Sequence, residues 1–557
     1  MSRFRALLGL ASRLPTVTRT LLRLRPPQAL AQLRHMFFGA RPPVQLAAEK
    51  SPRLAEVRCT SFLGPPRHIR VSRAPLAVEL LGRRHALGPS GIDWRASQYG
   101  PLFEYHLNEH AFLRHEAFTP VERARLVNDW IQQPRLGAGW DPHPTSLRLL
   151  AWGKLLLTPE ALPGEPGLRE SMCLSLADQA ESLSRSLEHR LQANHLLSNR
   201  IGVVWAGLLF EGGQADVWRA QIPALAAELA LQVHADGGHE ERSPMYHSLI
   251  LENVLDLLNL AQASPRATPE FVALLRDVAA RMLSALALYT RPDGRIALFA
   301  DSAWGVACEP ASLFDYARTL EVACERTNPR SGWLAESGYA RLVRDGFDVI
   351  VSLEGPRPAH QPGHAHCDAL ALELAVGGQG FVGDTGVFEY QPGRRRDQAR
   401  ATASHATLEL DAREQSELWA AHRVGGRARV DRIVYEASGA VSGRVTGWGR
   451  AAASHARRVA LEDGALVVVD RVDREGTAIV SRWPIVPGWR LERVTGGVLA
   501  SCEEEDVRVR VELPEALDWE VERAPFFPTF HQERQRDVLV GRGTGPLEAT
   551  LRFVRVG

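Results

Sequence analysis

Cysteine, lysine and long apolar runs are all scarce in this sequence. Its six cysteines are spread over 557 residues without a Cys-x-x-Cys pair, which argues against a disulfide framework and against a structural zinc knuckle. No apolar run reaches the length of a membrane span. Lysine is nearly absent, so arginine supplies the positive charge, and its planar group suits carboxylates and sulfates.

The chain also has almost no net charge. Lys+Arg 66 against Asp+Glu 65 leaves +1, so the overall composition points to neither a nucleic acid nor a membrane surface as partner. The N-terminus "MSRFRALLGLASRLPTVTRT" is weak as a secretion signal, because Arg13 interrupts its apolar stretch and no clean cleavage site follows. We expect an amphipathic N-terminal helix. The sequence leaves the location open and slightly favours the cytoplasm over the periplasm or secretion.

The first half of the chain has helical periodicity. Between about residues 100 and 330, apolar residues recur at helical spacing, as in "SLRLLAWGKLLL" and "EFVALLRDVAARMLSALALYT". Proline and glycine separate these segments at short intervals. Paired helices with short links predict an (α/α) toroid, and no fixed-length repeat indicates a known repeat family.

The second half has strand periodicity. From about residue 338, short alternating runs such as "DVIVSLEG" and "GALVVVDRV" follow one another with glycine and aspartate turns, which predicts an antiparallel β-sandwich. A chain of this length needs two or three domains. We predict a helical or extended lead-in over 1–90, a toroid over 91–335 and a β-sandwich over 336–557, with a ligand cleft between the last two.

Polar clusters interrupt the helical half at two places. In "QANHLLSNR" (192–200), Asn194 and His195 stand where packing would prefer aliphatic residues; a broken helix that uses them as caps would also explain them. In "HADGGHEERSPMYH" (234–247), Ser243 and Pro244 predict a helix N-terminus. The polar residues around it are typical either of an anion-binding site or of an exposed loop.

A third cluster lies in the strand-rich half. "PGHAHCDAL" (362–370) puts His364 and His366 two residues apart, so on a strand both would point to one face. They could be two metal ligands, two catalytic groups or one of each. His366 with Asp384 of "GDTG" and His405 of "RATASHATLEL" would form a two-histidine, one-carboxylate set suited to zinc or manganese, although a strand histidine is more often simply hydrogen-bonded.

Together these clusters resemble the heparinase II/III-like polysaccharide lyases. The stretches that carry the resemblance are "NHLLSN", "DGGHEERSPMYH", "GHAHCDAL…GDTG" and "RATASHATLELD…SELW", in the order in which that family has them. The resemblance covers roughly residues 90 to 430. It implies an N-terminal (α/α) toroid packed on a C-terminal antiparallel β-sandwich, the division that periodicity indicates independently.

The resemblance implies β-elimination at a uronic acid, which leaves a 4,5-unsaturated end. Asn194, helped by His195, would neutralise the uronate carboxylate. Where the C5 proton and the leaving oxygen lie on one side of the sugar, Tyr246 would serve as both base and acid. Where they lie on opposite sides, His364 would be the base and Tyr246 the acid.

The resemblance also implies a metal site and substrate contacts. His366, Asp384 and His405 match the family's ion ligands, and we expect a structural divalent ion, zinc or else manganese. The family commonly has asparagine after the third ligand, whereas this chain has Ala406, which could weaken the orientation of the ion. Candidate substrate contacts, for several of which a packing role is equally open, are Tyr390, Arg400, His239, Arg242, Trp140 and Asn199.

The expected partner is an acidic polysaccharide, such as heparan sulfate, hyaluronan, chondroitin, alginate or a bacterial exopolysaccharide. One alternative is a glycoside hydrolase on the same scaffold, which would need two carboxylates facing each other across the cleft; Asp236, Glu240 and Glu241 are available but cluster on one side. Another is a non-catalytic protein that binds polysaccharide or serves its synthesis. We expect no nucleic acid and no membrane span, and the sequence leaves the oligomeric state open.

Overall fold

The computed structural model describes residues 14–47, 51–89, 91–324, 330–449 and 453–556. Part of the predicted N-terminal helix, residues 1–13, lies outside these ranges, and residues 14–21 are helical. The other α-helices are α1 (Pro26–Phe38), α2 (Pro101–Glu109), α3 (Pro120–Ile131), α4 (Pro142–Leu157), α5 (Pro166–Arg185), α6 (Ala193–Leu209), α7 (Gly213–Arg219), α8 (Ile222–Gln232), α9 (Pro244–Ala263), α10 (Pro269–Tyr289), α11 (Pro310–Thr319) and α12 (Arg394–Arg400).

Most strands follow the helices along the chain. The strands are β1 (Arg53–Leu54), β2 (Arg70–Arg73), β3 (Leu76–Leu80), β4 (Arg83–Ala86), β5 (Phe210–Glu211), β6 (Gly332–Leu334), β7 (Tyr339–Arg344), β8 (Phe347–Ser352), β9 (Leu372–Val376), β10 (Gln379–Val382), β11 (Leu408–Leu410), β12 (Leu418–Trp419), β13 (Arg423–Val424), β14 (Arg429–Glu436), β15 (Ala440–Thr446), β16 (Ser454–Glu462), β17 (Ala465–Val472), β18 (Ala478–Pro484), β19 (Trp489–Val494), β20 (Gly497–Cys502), β21 (Arg508–Glu512), β22 (Asp518–Phe526), β23 (Arg534–Thr544) and β24 (Leu547–Val556).

The C-terminal half is built from three larger sheets. Their strand orders are β10-β9-β8-β7-β6, β11-β18-β23-β22 and β14-β15-β16-β17-β24-β21-β20-β19. Neighbouring strands run antiparallel, as in the eight residue pairs that join β17 to β24. The predicted order, helices first and an antiparallel sheet region second, is confirmed.

Each half has its own apolar core. One cluster of buried side chains is drawn almost entirely from the helical half, and a second is shared by the sheets, with Val349, Leu466 and Leu539 each from a different sheet. Alternating strands bury one face and the helices bury one stripe, so two cores follow from two periodicities. The first strand of the sheet region, β6, starts a few residues before the predicted boundary at 335.

Local sequence explains where the helices near the cleft begin. Ser243 accepts a hydrogen bond from the backbone N–H of Tyr246, with Pro244 as the first residue of α9, which confirms the predicted N-terminus. Thr119 and Glu122 form a capping box at the start of α3. Within the described ranges, no helix is long and apolar enough to cross a membrane.

Candidate active site

Two long helices begin at one cleft. Asn194 is the second residue of α6, and Tyr246 is the third residue of α9. Both side chains line the same cavity. Because a helix N-terminus carries partial positive charge and unpaired N–H groups, two termini at one cleft favour an anionic ligand there.

The chain breaks just before Asn194. Gln192 and Ala193 adopt positive φ angles of 61° and 47°, which ends the preceding segment and starts α6 in a new direction. The sequence left open whether the polar cluster marks a broken helix or a site. The structure shows the break but no side-chain cap, and it places Asn194 and His195 on the wall of the cavity.

The Asn194 amide already binds a carboxylate. Its Nδ2 donates to both oxygens of Glu241, each at 2.9 Å, and both side chains are buried. A buried amide needs such partners, since leaving it unpaired costs about 1–3 kcal/mol. Glu241 therefore holds the Asn194 amide in place at the cleft wall.

Glu188 fixes the position of His195. The Nδ1 atom of His195 lies 3.2 Å from Glu188 Oε2, and Asn199 donates to the same oxygen at 3.2 Å. Burial lowers the pKa of His195, but the Glu188 carboxylate more than offsets this and leaves the pKa raised. His143 stacks on His195 with ring centroids 4.3 Å apart. Glu188 and His143 thus hold His195 on the cleft wall.

Tyr246 and His364 meet face to face. Their rings stack with centroids 3.9 Å apart, and the Tyr246 hydroxyl lies 3.1 Å from that of Tyr390. Burial raises the pKa of Tyr246 above the ordinary value for tyrosine. Two groups that can exchange protons, one on a toroid helix and one on a loop of the sheet region, therefore lie against each other.

Asp301 connects the two histidines of "HAH". One of its oxygens lies 2.8 Å from His364 Nδ1 and the other 2.9 Å from His366 Nε2, while Arg396 pairs with both oxygens. Burial raises the pKa of Asp301, but Arg396 and the two histidines hold it well below the usual range. Since a carboxylate only accepts hydrogen bonds, Nδ1 of His364 donates to Asp301, and Nε2 is the ring nitrogen that this contact leaves free.

The cleft lies between the helical half and the sheet region and has a volume of about 530 Å³. That is the size of an ordinary small-ligand site. Five of the predicted site residues line it, alongside further polar groups from both halves. The predicted ones are Asn194, His195, Tyr246, His364 and Tyr390; the others include Tyr105, Glu109, His143, Glu241, Gln391 and His422.

The three predicted metal ligands form one cluster. His366, Asp384 and His405 are buried, and one potential ligand atom from each lies within 4.8 Å of the others. His405 Nδ1 is 2.9 Å from both Asp384 oxygens. Among the described residues, His366 Nδ1 and His405 Nε2 are buried ring nitrogens without a hydrogen-bond partner. Buried polar atoms normally have partners, so the donor set fits a metal ion.

Comparison with known proteins places this architecture. The "Heparinase II/III N-terminus" family model matches residues 169–320, and the "Heparinase II/III-like, C-terminal" model matches residues 326–552. The chain belongs to the heparinase II/III-like family. The two matches meet close to the change from helices to strands, so each half of this heparinase II/III-like chain corresponds to one half of the family's architecture.

Curated relatives match part of the chain. A heparin-sulfate lyase of Pedobacter heparinus is 28% identical over 259 residues, which is 42% of this chain and 38% of that protein. FtsZ-localized protein C of Caulobacter vibrioides is 28% identical over 245 residues, with the same coverage of 42% and 38%. The matched region therefore spans less than half of either relative.

Solved structures show the same fold. A crystal structure of heparinase III superposes with a TM-score of 0.66 at 17% identity, covering 84% of this chain and 79% of that one. The heparan sulfate lyase HepC of Pedobacter heparinus, in a mutant form, gives 0.58 at 18% identity over 95% and 88%. The predicted fold, an α-toroid followed by an antiparallel β-sandwich, is confirmed.

The prediction that Arg242 and His239 contact the substrate is wrong, because both side chains are buried inside this heparinase II/III-like fold. Arg242 donates to backbone carbonyls of Ser337, Gly338 and Gly355, among others, so it ties the start of α9 to the sheet region. His239 is fully buried, with Nε2 3.1 Å from the side chain of Gln232. The polar residues crowded into this stretch of sequence serve hydrogen bonds inside the protein, and neither Arg242 nor His239 lines the cleft.

Three further predicted substrate contacts lie behind the residues that line the cleft, or away from the cleft. Arg400 is buried and donates to the carbonyl of Ala365, between the two histidines, at 3.1 Å. Asn199 holds Glu188. Trp140 stacks on Trp130 with centroids 5.8 Å apart. None of the three lines the cleft, so direct contact with a substrate there is not supported by their positions.

Sequence reasoning missed the residues that hold the catalytic candidates. Asp301 follows the apolar run "IALFA", and Arg396 follows the "PGRR" turn, so each reads as a surface turn residue in the sequence. Glu188 reads as an ordinary helix or loop acid, and Glu241 was considered only as a carboxylate for the hydrolase alternative. The one available signal was the position of Asp301 directly after buried residues, and its partner His364 is 63 positions away.

Proposed function

We propose that this chain is a polysaccharide lyase that cleaves a uronic-acid-containing polysaccharide, of the glycosaminoglycan type, by β-elimination. The observation that carries the proposal is the placement of Asn194, Tyr246 and His364 on the wall of one cleft. The family and the heparin-sulfate lyase relative support the same reaction class. Uronate lyases need a carboxylate binder, a base and an acid, and this cleft supplies one side chain for each.

Carboxylate neutralisation falls to Asn194 and His195. Glu241 holds the amide of Asn194 at the cleft wall, where a uronate carboxylate would take over its N–H groups, and Glu188 raises the pKa of His195, which favours its protonated form. The N-termini of α6 and α9 point at the same region. When the C5 proton leaves, the uronate gains charge, and preorganised donors of this kind stabilise that state most.

Proton transfer falls to His364 and Tyr246. Asp301 holds the Nδ1 proton of His364, so the Nε2 lone pair is the basic site that removes the C5 proton. Burial keeps the pKa of Tyr246 high, so it enters the reaction as a phenol and can protonate the leaving 4-oxygen. This assignment suits substrates whose proton and leaving group lie on opposite sides of the ring.

The test is a panel of uronate polymers, sulfated and unsulfated, followed by the ultraviolet absorbance of the C4=C5 double bond. We expect absorbance to rise with at least one polymer. Tyr246→Phe should lower kcat by about 10²-fold or more, since it removes an acid from the transition state. Tyr105→Phe, a second tyrosine of the cleft wall, is the matched control and should keep most of the activity.

The two alternatives predict different outcomes. A hydrolase would release reducing ends with flat absorbance, and a non-catalytic protein would bind polymer without releasing product. Of the three carboxylates considered for a hydrolase, Glu241 lines the cleft whereas Asp236 and Glu240 do not. Flat absorbance across the whole panel, with either reducing ends or binding alone, would overturn the lyase proposal.

We propose further that His366, Asp384 and His405 hold a divalent ion, zinc or else manganese. Supporting this are the two unpaired buried nitrogens and the close ligand atoms within the described cluster. When bound, the ion would tie the "HAH" loop to β10 and to the segment before β11. Its role would be structural, because the catalytic candidates His364 and Tyr246 are not among the ligands.

Elemental analysis of purified protein should find about one ion per chain. His366→Ala should lose the ion and lower Tm, whereas His364→Ala should keep ion and Tm but lose activity. The pair is matched, because both change one imidazole bonded to Asp301. The proposed ion site would be contradicted if the unchanged protein contained no metal and His366→Ala had the same Tm.

A further inference from the structure

Exposed apolar side chains are far denser in segment 14–41 than in the rest of the described chain. Of the seventeen large apolar side chains that are exposed among the described residues, eight lie between residues 14 and 38. Several are almost fully open to solvent, with Leu22 and Phe38 each 81% exposed and Phe37 78%. The eight are Leu14, Leu21, Leu22, Leu30, Leu33, Met36, Phe37 and Phe38.

Three of these side chains form one face of α1. Leu30, Leu33 and Phe37 are spaced by three and four residues, so they lie along one side of the helix, and exposed Arg34 lies beside them. Met36 and Phe38 extend the apolar surface at the C-terminal end of the helix. Exposed apolar groups in such a cluster mark an interaction surface, whereas single ones do not.

The same region is strongly basic. The first 48 residues contain eight arginines and no aspartate or glutamate, although the whole chain has a net charge of only +1. Arg23, Arg34 and Arg41 are exposed within the described part. The overall charge balance therefore conceals a local excess of positive charge next to the apolar face.

The opposite face is fixed to the body of the protein. Gln28, buried in α1, donates to the carbonyls of Arg190 and His360, one from each half of the molecule. Arg19 pairs with Glu417, and Arg25 donates to Gln192 at the cleft wall. Since these bonds occupy the inner face, the apolar face is held outward beside the cleft.

We propose that segment 14–41 attaches this protein peripherally to the surface of an anionic lipid bilayer. Helices that lie in a membrane interface combine an apolar face of leucine and phenylalanine with arginine or lysine at its border, and they bind anionic lipid through both. Attachment by this face would place the cleft mouth close to the membrane.

The charge of the segment favours a bilayer over a second copy of the chain. Two such faces brought together would oppose arginine to arginine without a carboxylate in either segment. An anionic bilayer supplies both the apolar interior and the negative charge that the face lacks.

The test is flotation of the full-length chain with vesicles of phosphatidylcholine alone or mixed with about one third phosphatidylglycerol. We expect flotation with the anionic vesicles, weaker at high salt because salt screens the arginine contribution. Leu33→Asp/Phe37→Asp should reduce the bound fraction by about tenfold or more, since it puts charge on the inserted face. Arg23→Glu/Arg34→Glu should abolish the preference for anionic vesicles.

The matched control is Val121→Asp/Val217→Asp, which changes two exposed apolar residues on helices outside the segment. It should float like the unchanged protein. The Tm of every variant is measured first, and only variants that keep the Tm of the unchanged protein are compared. Loss of flotation through unfolding is thereby excluded. The proposal would be overturned if the protein did not float, if it floated equally with both kinds of vesicle, or if Leu33→Asp/Phe37→Asp floated like the unchanged protein. It would also be overturned if the protein bound no vesicles but formed a dimer that Leu33→Asp/Phe37→Asp dissociates.

Discussion

Asp301 is fully buried behind the wall of the cleft. It contacts both histidines of the "HAH" motif and pairs with a buried arginine. A carboxylate in this position decides which nitrogen of His364 is free to act as a base. It also links the catalytic candidate to the proposed ion site through His366. The proposed proton transfer at this cleft therefore depends on Asp301, a buried residue that does not line the cleft.

Asp301→Asn should lower kcat by about 10²-fold or more with little change in KM, because the amide no longer fixes the His364 proton on Nδ1. It should also lower Tm, since Arg396 would remain buried without its charge partner. The measurement is steady-state kinetics on the folded fraction, together with thermal unfolding.

Asp348→Asn is the matched control for Asp301→Asn. Asp348 also forms a buried pair with an arginine, Arg341, and neither residue lines the cleft. Its loss should lower Tm by a similar amount while kcat of the folded enzyme stays the same. Equal kcat losses in the two variants would show that Asp301 acts through stability alone.

At the scale of elements, the site depends on how α9 is joined to the sheets. The loop before α9 carries Arg242, whose guanidinium bonds five oxygens of the sheet region. Tyr246 follows four residues later and must meet His364 of the sheet region across the cleft. The relative position of the two halves therefore sets the distance between the two proton-transferring groups.

Arg242→Ala should lower the free energy of unfolding by about 3 kcal/mol or more, because several buried oxygens lose a charged donor. Arg242→Lys should be intermediate, since an ammonium cannot reproduce the planar fork. Urea unfolding measures the effect. KM of the folded enzyme should not change, and a KM raised tenfold at unchanged stability would restore the substrate-binding role that the structure argues against.

At the scale of the whole molecule, many histidines are buried in their neutral form. Burial lowers their pKa to about 3 or 4 in several cases, namely His68, His106, His143, His247 and His360. In the unfolded chain the same groups titrate near pH 6.5. His195 and His405 oppose this trend, because nearby carboxylates raise their pKa, but the histidines with a lowered pKa outnumber them.

Stability should therefore fall on acidification. Between pH 6.5 and about 4 these histidines bind more protons in the unfolded chain than in the folded one, so they lower the free energy of unfolding as pH falls through this window. Glu109 and Glu240, whose pKa burial raises to about 8, act in the opposite direction but are fewer. Urea midpoints at about pH 7.5 and 5.5 measure it. His360→Gln should reduce the slope, since it removes one such group. A midpoint that rises at the lower pH would contradict the argument.

The sequence by itself determined the order of the two halves, the N-terminus of α9 and the motifs of the cleft. These depend on local periodicity and on capping groups a few residues apart, and both can be seen in the sequence. It also brought Asn194, Tyr246 and His364 into one hypothesis, through the motifs that resemble the family.

Only the tertiary structure decided which polar residues face the cleft and which serve the interior. Arg242 and His239 share one polar stretch with Tyr246, yet backbone direction turns the first two inward. Asp301 lies 63 and 95 positions from His364 and Arg396, so nothing in the local pattern joins them. A buried charge is held by partners from distant segments, and those partners are set by packing of the two halves.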